Sequence, residues 1–442
     1  MRFNDAYVPF FKLVLNFRDQ DLPLKLLSQC LHFLSFERDL FTNQDIKKFL
    51  NKTNLFLSKD ILYKSNYLTW SYNGDFDFSF KDDNQPVFFL FNSSLFLSHH
   101  KDTIKLNDVY GYFDILGNDF IGNHATAEFD NDYLSLDFGL ENFQINLSKK
   151  FFKVDSAQLS SSKSFYGNCY GTYKNQLTSN NKSHSFISYD KDNLFELFEG
   201  MKLLGGLNLK GDVAYFTNFS NSPVSFFFED DNSNYNFFAS TFMMQENKIT
   251  ASNVEFLLKN DFGSMSHPHV NMVYDNDLKK ISIERGLGIR GLSPIRNKFH
   301  GINIYADKLE LDLVYDNCLF FHKSIGRDLS VLIESNNYFD LSKYLDLVGG
   351  DINVLLKLLE FIENKDLDNY YSLSDFSLFV GLNQDVALNC ILNLEIFGIV
   401  DFRSFTNTFK VNTWALNFQD ASMKVYDHDY FKIEALSTVS DT

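Results

Sequence analysis

Few residues in this sequence are placed to do chemistry, and each makes a demand on the chain around it. Gly286-Leu287-Gly288-Ile289-Arg290-Gly291 spells a G-x-G-x-x-G pattern after the strand-like Ile281-Ser282-Ile283. In a dinucleotide site such glycines let the backbone approach a pyrophosphate, and a helix must open at the last of them. Pro294 and the irregular stretch 293–297 speak against that helix, so the segment reads as a glycine-rich loop between antiparallel strands. Gly167-Asn168-Cys169-Tyr170-Gly171 resembles a nucleophile elbow with Cys at its centre. An elbow works only on a strand-to-helix turn, and residues 172–185 read as a polar loop. His267-Pro268-His269 sets two imidazoles on one face of an extended segment, half of a metal site. Asp261, Asp275 and His300 are the nearest further donors, and surface histidines are the plainer reading. No catalytic residue, cofactor or metal is assigned, and the chain reads as non-catalytic.

One stretch reverses the charge of the chain. Lys and Arg total 40 against 57 Asp and Glu, a formal charge of −17. Such a balance repels phosphate backbones and anionic membrane surfaces, so nucleic acid is not expected as a partner. Yet Lys279, Lys280, Arg285, Arg290, Arg296 and Lys298 follow one another with Glu284 as their single acid. Arg285, Arg290, Arg296 and Lys298 are therefore the candidate site for an anionic group or an acidic partner surface. The plain alternative is cations balancing acidic strands nearby. A site requires the four to share an exposed face, which needs the loop at Gly286, Gly288 and Gly291 to fold back.

The elements that would hold these residues follow from periodicity. Residues 1–58 read as a helical region: Leu24, Leu27, Leu31 and Leu34 recur at helical spacing, and Asn43 caps a further helix. Residues 59–340 read as an antiparallel β region, as in Phe76-Asp77-Phe78-Ser79-Phe80, where aromatic and polar residues alternate. The excess of Phe, 50 residues beside 22 Tyr, suits half-buried pleated surfaces. One helix is expected to intrude at 192–201, from the spacing of Leu194, Leu197 and Phe198. Weak internal similarity links Asn107-Asp108-Val109-Tyr110 to Ser252-Asn253-Val254-Glu255, each preceded by a strand and a polar turn.

Residues 341–413 return to the helical period. Val354, Leu355, Leu358, Leu359 and Ile362 form one face, Ser372 or Ser374 caps a second helix ended by Gly381, and Asn383 caps a third. Two strands around Thr406-Asn407 follow, giving a winged-helix-like module. Its third helix offers Asn383, Gln384, Asp385, Asn389, Asn393 and Glu395 but no cation, so it is not expected to read DNA. Residues 414–442 read as a β tail. The fold class is thus α+β.

Cys30, Cys169, Cys318 and Cys390 lie far apart, giving neither a metal-thiolate pair nor a disulfide framework. No run has the length of a transmembrane helix. The apolar stretch 6–17 is broken by Pro9 and Lys12 with no small-residue cleavage site after it, so no signal peptide is read.

Dispersed segments add a resemblance. Leu147-Ser148-Lys149-Lys150-Phe151-Phe152-Lys153-Val154-Asp155-Ser156, Ser293-Pro294, Gly301-Ile302-Asn303-Ile304-Tyr305-Ala306-Asp307, Glu334-Ser335-Asn336-Asn337-Tyr338-Phe339 and Leu394-Glu395-Ile396-Phe397-Gly398-Ile399-Val400 are similar, in order, to large uncharacterised cell-envelope proteins of Bacteroidetes. The resemblance covers roughly residues 60–420. It implies an exported protein of the periplasm or cell envelope with protein partners there, and it carries over no catalytic residue. The missing signal peptide and the early end after the module point to a fragment, a split reading frame or a reduced member, and leave a cytoplasmic location open. The expected function is a structural or interaction component. A lipid or glycan carrier with an aromatic-lined β groove is the alternative, and an enzyme with a site scattered through the sequence is a third.

Overall fold

The structure, a computed structural model, describes residues 7–19, 23–36, 41–81, 85–99, 102–130, 135–160, 168–177, 182–198, 200–218, 222–230, 233–322, 330–336, 339, 341–349, 353–413, 415–416, 418, 431–435 and 438–441. The fold is α+β, with seven α-helices among the described residues and long antiparallel ladders. The chain divides into two compact units, Met1–Asn193 with Leu207–Ala214, and Leu194–Gly206 with Tyr215–Thr442.

The first unit opens with α1 (Tyr7–Asp19), α2 (Leu24–Phe36) and α3 (Asn43–Lys59). The cap of α3 is Thr42 rather than Asn43. Its hydroxyl accepts the Asp45 N–H, and the Asp45 carboxylate accepts the Thr42 N–H in return. Position 43 offers no such reciprocal partner, which is why the start lies one residue earlier. Phe56 of α3 stacks on Tyr72 at 4.4 Å and on Phe88 at 3.9 Å, so the helix covers the buried face of the first strands.

A meander follows. Strands Thr69–Phe80, Pro86–His99, Asp102–Asp114, Asp119–Asp130, Ser135–Asn146, Phe151–Ser160, Cys169–Leu177 and Lys182–Ser188 pair each with the next, all antiparallel. The stretch 172–185, expected as loop, lies largely in the last two of these strands. Tyr173, Asn175 and Leu177 are buried at every second position, which gives the segment its strand period. The ladders are interrupted side by side. Gly74, Asn92 and Asp108 take left-handed or positive φ at register shifts, Asn142 is left-handed within an unbroken register, and a further shift falls between Val154 and Ala157. Each bulge bends its strand and adds twist. A Cβ on Gly74 would lie 2.5 Å from the Ser93 hydroxyl oxygen, so only glycine allows that crossing. The bent sheet closes over its own apolar side, bringing Trp70 within 6.4 Å of Phe152 from a distant strand.

The second unit repeats the device. Strands Val224–Asp230, Ser233–Ala239, Lys248–Asn260, Gly263–Asp275 and Lys280–Arg285 pair in succession, and Phe226 meets Tyr274 at 6.1 Å across the curl. Asn253 carries the bulge, at φ 58°, where Asp108 has φ 50° in the first unit. The expected helix at 192–201 is instead the strand Asn193–Phe198. Phe195 and Leu197 point inward while Leu194 and Glu196 do not, a period of two that overrides the helical spacing.

Beyond Arg285 the sheet forks. Lys280–Arg285 continues to Lys308–Asp312, Asn317–Phe321 and Thr438–Asp441. The other arm starts from Gly263–Asp275 again and runs through Ile295–Asn297, Ile302–Tyr305, Val331–Ser335 and Lys432–Ala435. The loop 286–294 sits in the fork.

The unit ends in a helical module with its own core. Helices α4 (Leu341–Val348), α5 (Val354–Ile362), α6 (Leu373–Val380) and α7 (Gln384–Ile396) surround Leu358, Phe361, Phe376, Ile391 and Phe409. Ser372 caps α6, left-handed Gly381 ends it, and Asn383 caps α7. A three-stranded sheet places Thr408–Val411 between Tyr371–Ser372 and Val400–Arg403. No described helix is long and apolar enough to cross a membrane.

Candidate functional site

The four candidate cations do not gather on an exposed face. Arg285 stays with its own loop: its Nε donates to the Gly291 carbonyl at 2.6 Å, and a terminal nitrogen lies 3.6 Å from Asp307. Arg290, Arg296 and Lys298 reach the helical module instead. The loop explains how. Gly288 has φ 86°, and a Cβ on Gly291 would collide with the Gly286 carbonyl at 1.9 Å. This glycine backbone coils tightly through a short 3-10 turn, Ile289–Leu292, and no α-helix opens there. A pyrophosphate cradle is therefore absent from the segment, and what it delivers is Arg290.

Arg290 lies 3.4 Å from the Glu395 carboxylate, donates to the Phe402 carbonyl at 3.3 Å, and sits 5.5 Å from the centre of the Phe402 ring. Arg296 donates to the Asp401 carboxylate and to the carbonyls of Glu395 and Val400. Glu395 is in the last turn of α7, whose carbonyls lack helical partners and carry the negative end of the dipole. A guanidinium satisfies both needs at once. Lys298, half-exposed, approaches Asp401 at 3.8 Å. The acidic surface these cations meet belongs to the same chain.

Glu395 is only 2% exposed. Burial raises its carboxyl above the usual range, against the opposing pull of Arg290, Arg296 and the Phe402 N–H, which donates to it at 3.1 Å. A cavity of about 190 Å³ lies beside it, lined by Glu255, His267, Arg296, Tyr370, Glu395 and Arg403 among others. Burial also raises Glu255, which faces Arg290 and Arg403.

The two histidines part ways. His267 is buried, donates from Nε2 to the Ser293 carbonyl at 2.8 Å, and accepts the His269 N–H on Nδ1 at 3.0 Å. Burial pushes its pKa down to about 3. Protonation would also set one N–H against another. His269 is half-buried and turned away by the irregular register of this strand pair, so the imidazoles do not share a face. Among the described residues no His, Cys, Asp and Glu cluster with metal-binding geometry occurs. Cys169 is a buried strand residue, and burial pushes its thiol up to about 12, far from a reactive thiolate. Gly167, the other end of that pattern, lies outside the described residues.

Sequence reasoning found the cations and missed their partners. Glu395 was visible as a carboxylate between Leu394 and Ile396-Phe397, a setting in which a buried acid needs a cation. No protein-family model, curated protein or solved structure matches the chain.

Proposed function

We propose that the chain is a non-catalytic structural or interaction component of a bacterial cell envelope, of the Bacteroidetes type its sequence resembles. The observation that carries the reading is the Arg296 clamp. The charged groups that converge in this unit are committed to one another and join the module to the sheet. Such a module is part of the scaffold.

We read the module as winged-helix-like, used for packing. In support, α7 turns Glu395 inward to Arg290 and Arg296, and its exposed polar residues, Asn383, Gln384, Asp385, Asn389 and Asn393, include no cation. The full chain should show no salt-sensitive shift of duplex DNA at physiological salt; a micromolar affinity would overturn this part. Fractionation of cells making the protein tests the compartment, and recovery with the soluble cytoplasm would contradict an envelope role.

A lipid or glycan carrier is the second reading. An aromatic-lined groove is not what supports it, since Phe56, Phe88 and Phe113 are buried core. Its support is limited to exposed tyrosines of the first unit, Tyr110, Tyr170 and Tyr189.

A further inference from the structure

The cavity beside Glu395 has a floor and a roof of different origin. Strand alternation builds the floor. Leu257 pairs with Ser266, and Ser266 with Arg296, so the three share one face of the sheet. Glu255, Ser264 and Lys298, each two residues further along, line the cavity as well. Phe256, Leu258 and Met265, at the alternate positions, are buried in the core. The helical module supplies the roof, through Tyr370, Asp401 and Arg403.

The clamp pairs Arg290 with Glu395 and Arg296 with Asp401. Two charged side chains lining the cavity stand outside it. The half-buried Glu255 carboxylate has neither a hydrogen-bond donor nor an ion-pair partner among the described residues, and Arg290 and Arg403 act on it only through space. The Arg403 guanidinium lies 4.0 Å from the centre of the Tyr370 ring and likewise enters no ion pair or hydrogen bond among the described residues. An acid and a cation thus attract each other across a gap too wide for an ion pair. Leaving both in that state is costly, and a group carrying both charges would relieve it.

We propose that this cavity binds a small zwitterion, an α-amino acid with an apolar side chain, its ammonium at Glu255 and its carboxylate at Arg403. The proposal goes beyond the scaffold role above and does not depend on it. The planar fork of arginine matches a carboxylate with two parallel N–H donors, and stacking on Tyr370 holds the fork in place before a ligand arrives. An ammonium supplies the donors that Glu255 lacks, and it would offset the burial that raises this carboxyl. A bare anion would leave Glu255 unmatched close by, and a bare amine would leave Arg403 so. Leu257, Pro268 and the Tyr370 ring give the side chain an apolar wall. The volume of about 190 Å³ is below the roughly 300–1,000 Å³ of clefts that take drug-sized ligands, which suits a single amino acid better than a peptide.

The test is isothermal titration calorimetry of the full chain with L-leucine and L-phenylalanine. Beside them stand the same molecules without the ammonium, isocaproate and hydrocinnamate, and without the carboxylate, isoamylamine and phenethylamine. Saturable binding of at least one amino acid is expected, with its two analogues weaker by about tenfold or more. Glu255→Gln, nearly isosteric, and Arg403→Ala, at an exposed position, should each weaken the amino acid by about tenfold. Tyr315→Ala, at an exposed tyrosine that does not line the cavity, should leave affinity unchanged. The proposal falls if neither amino acid binds, the cavity then holding water alone. It falls too if the analogues bind as tightly as the amino acids, or if Glu255→Gln and Arg403→Ala leave affinity intact. Fractionation tests the compartment and calorimetry the cavity, so one can fail without the other.

Discussion

The two units bend their sheets at the same place and use the bend differently. In the first, Asp108 carries the bulge, the following strand pair runs on in register through left-handed Asn142, and Tyr110 stays in water. In the second, Asn253 carries the bulge, the ladder is broken again by the loop 286–294, and Arg290 and Arg296 in and after that loop hold a helical module. The lesson concerns insertions. A bulge already breaks the ladder, so its backbone groups have left the hydrogen-bond pattern and extra residues disturb little. The same position can therefore present a surface or dock a domain.

Four changes would break or sharpen this contrast, in falling order of effect. Arg296→Ala strips a buried guanidinium from Asp401 and from the end of α7. It should destabilise the second unit by about 3 kcal/mol or more, read as a lower urea midpoint; an unchanged midpoint would mean the clamp is decorative.

His267 makes the second unit acid-sensitive. Its pKa, ordinarily 6.5, is about 3 when folded. A depressed folded value gives stability that is complete above about 6.5 and lost as pH falls toward 3. Wild type should lose urea stability between pH 7 and pH 5, and His267→Gln, which cannot titrate there, should lose less. Equal losses would remove His267 from the account. Glu395, raised by burial, works in the opposite sense, favouring the fold below the ordinary carboxylate range.

Valine at either bulge tests the shared bend. A β-branched residue is strained at positive φ, so Asp108→Val and Asn253→Val should each cost about 1–2 kcal/mol. A cost at one position only would show that the units are bent by different means. Tyr110→Ala should change stability least, within about 0.5 kcal/mol, because the ring is exposed; a larger loss in thermal melts would mean the ring has a structural partner.

How far the sequence carried these conclusions depends on the range of each interaction. The strands were legible because alternation, as in residues 76–80, is local. The cap at Ser372 and the stop at Gly381 were legible for the same reason. Repetition was visible at Asp108 and Asn253 because a left-handed bulge favours Asn or Asp. Segment 193–198 misled because Leu194, Leu197 and Phe198 fit a helix by spacing, while the inward pair Phe195 and Leu197 is decided by packing. The clamp lay out of reach: Arg296 meets Asp401 across 105 residues of chain, and no local pattern encodes that contact.

The covered and open faces can be compared directly by carbodiimide labelling of carboxylates in the native full chain, read by mass spectrometry. Glu141, 52% exposed, occupies the open face, and Glu395, 2% exposed, the covered one. Rapid labelling of Glu141 is expected, with Glu395 protected until Arg290→Ala removes the cation on its carboxylate. Glu395 labelled in the unaltered protein as fast as Glu141 would contradict the account.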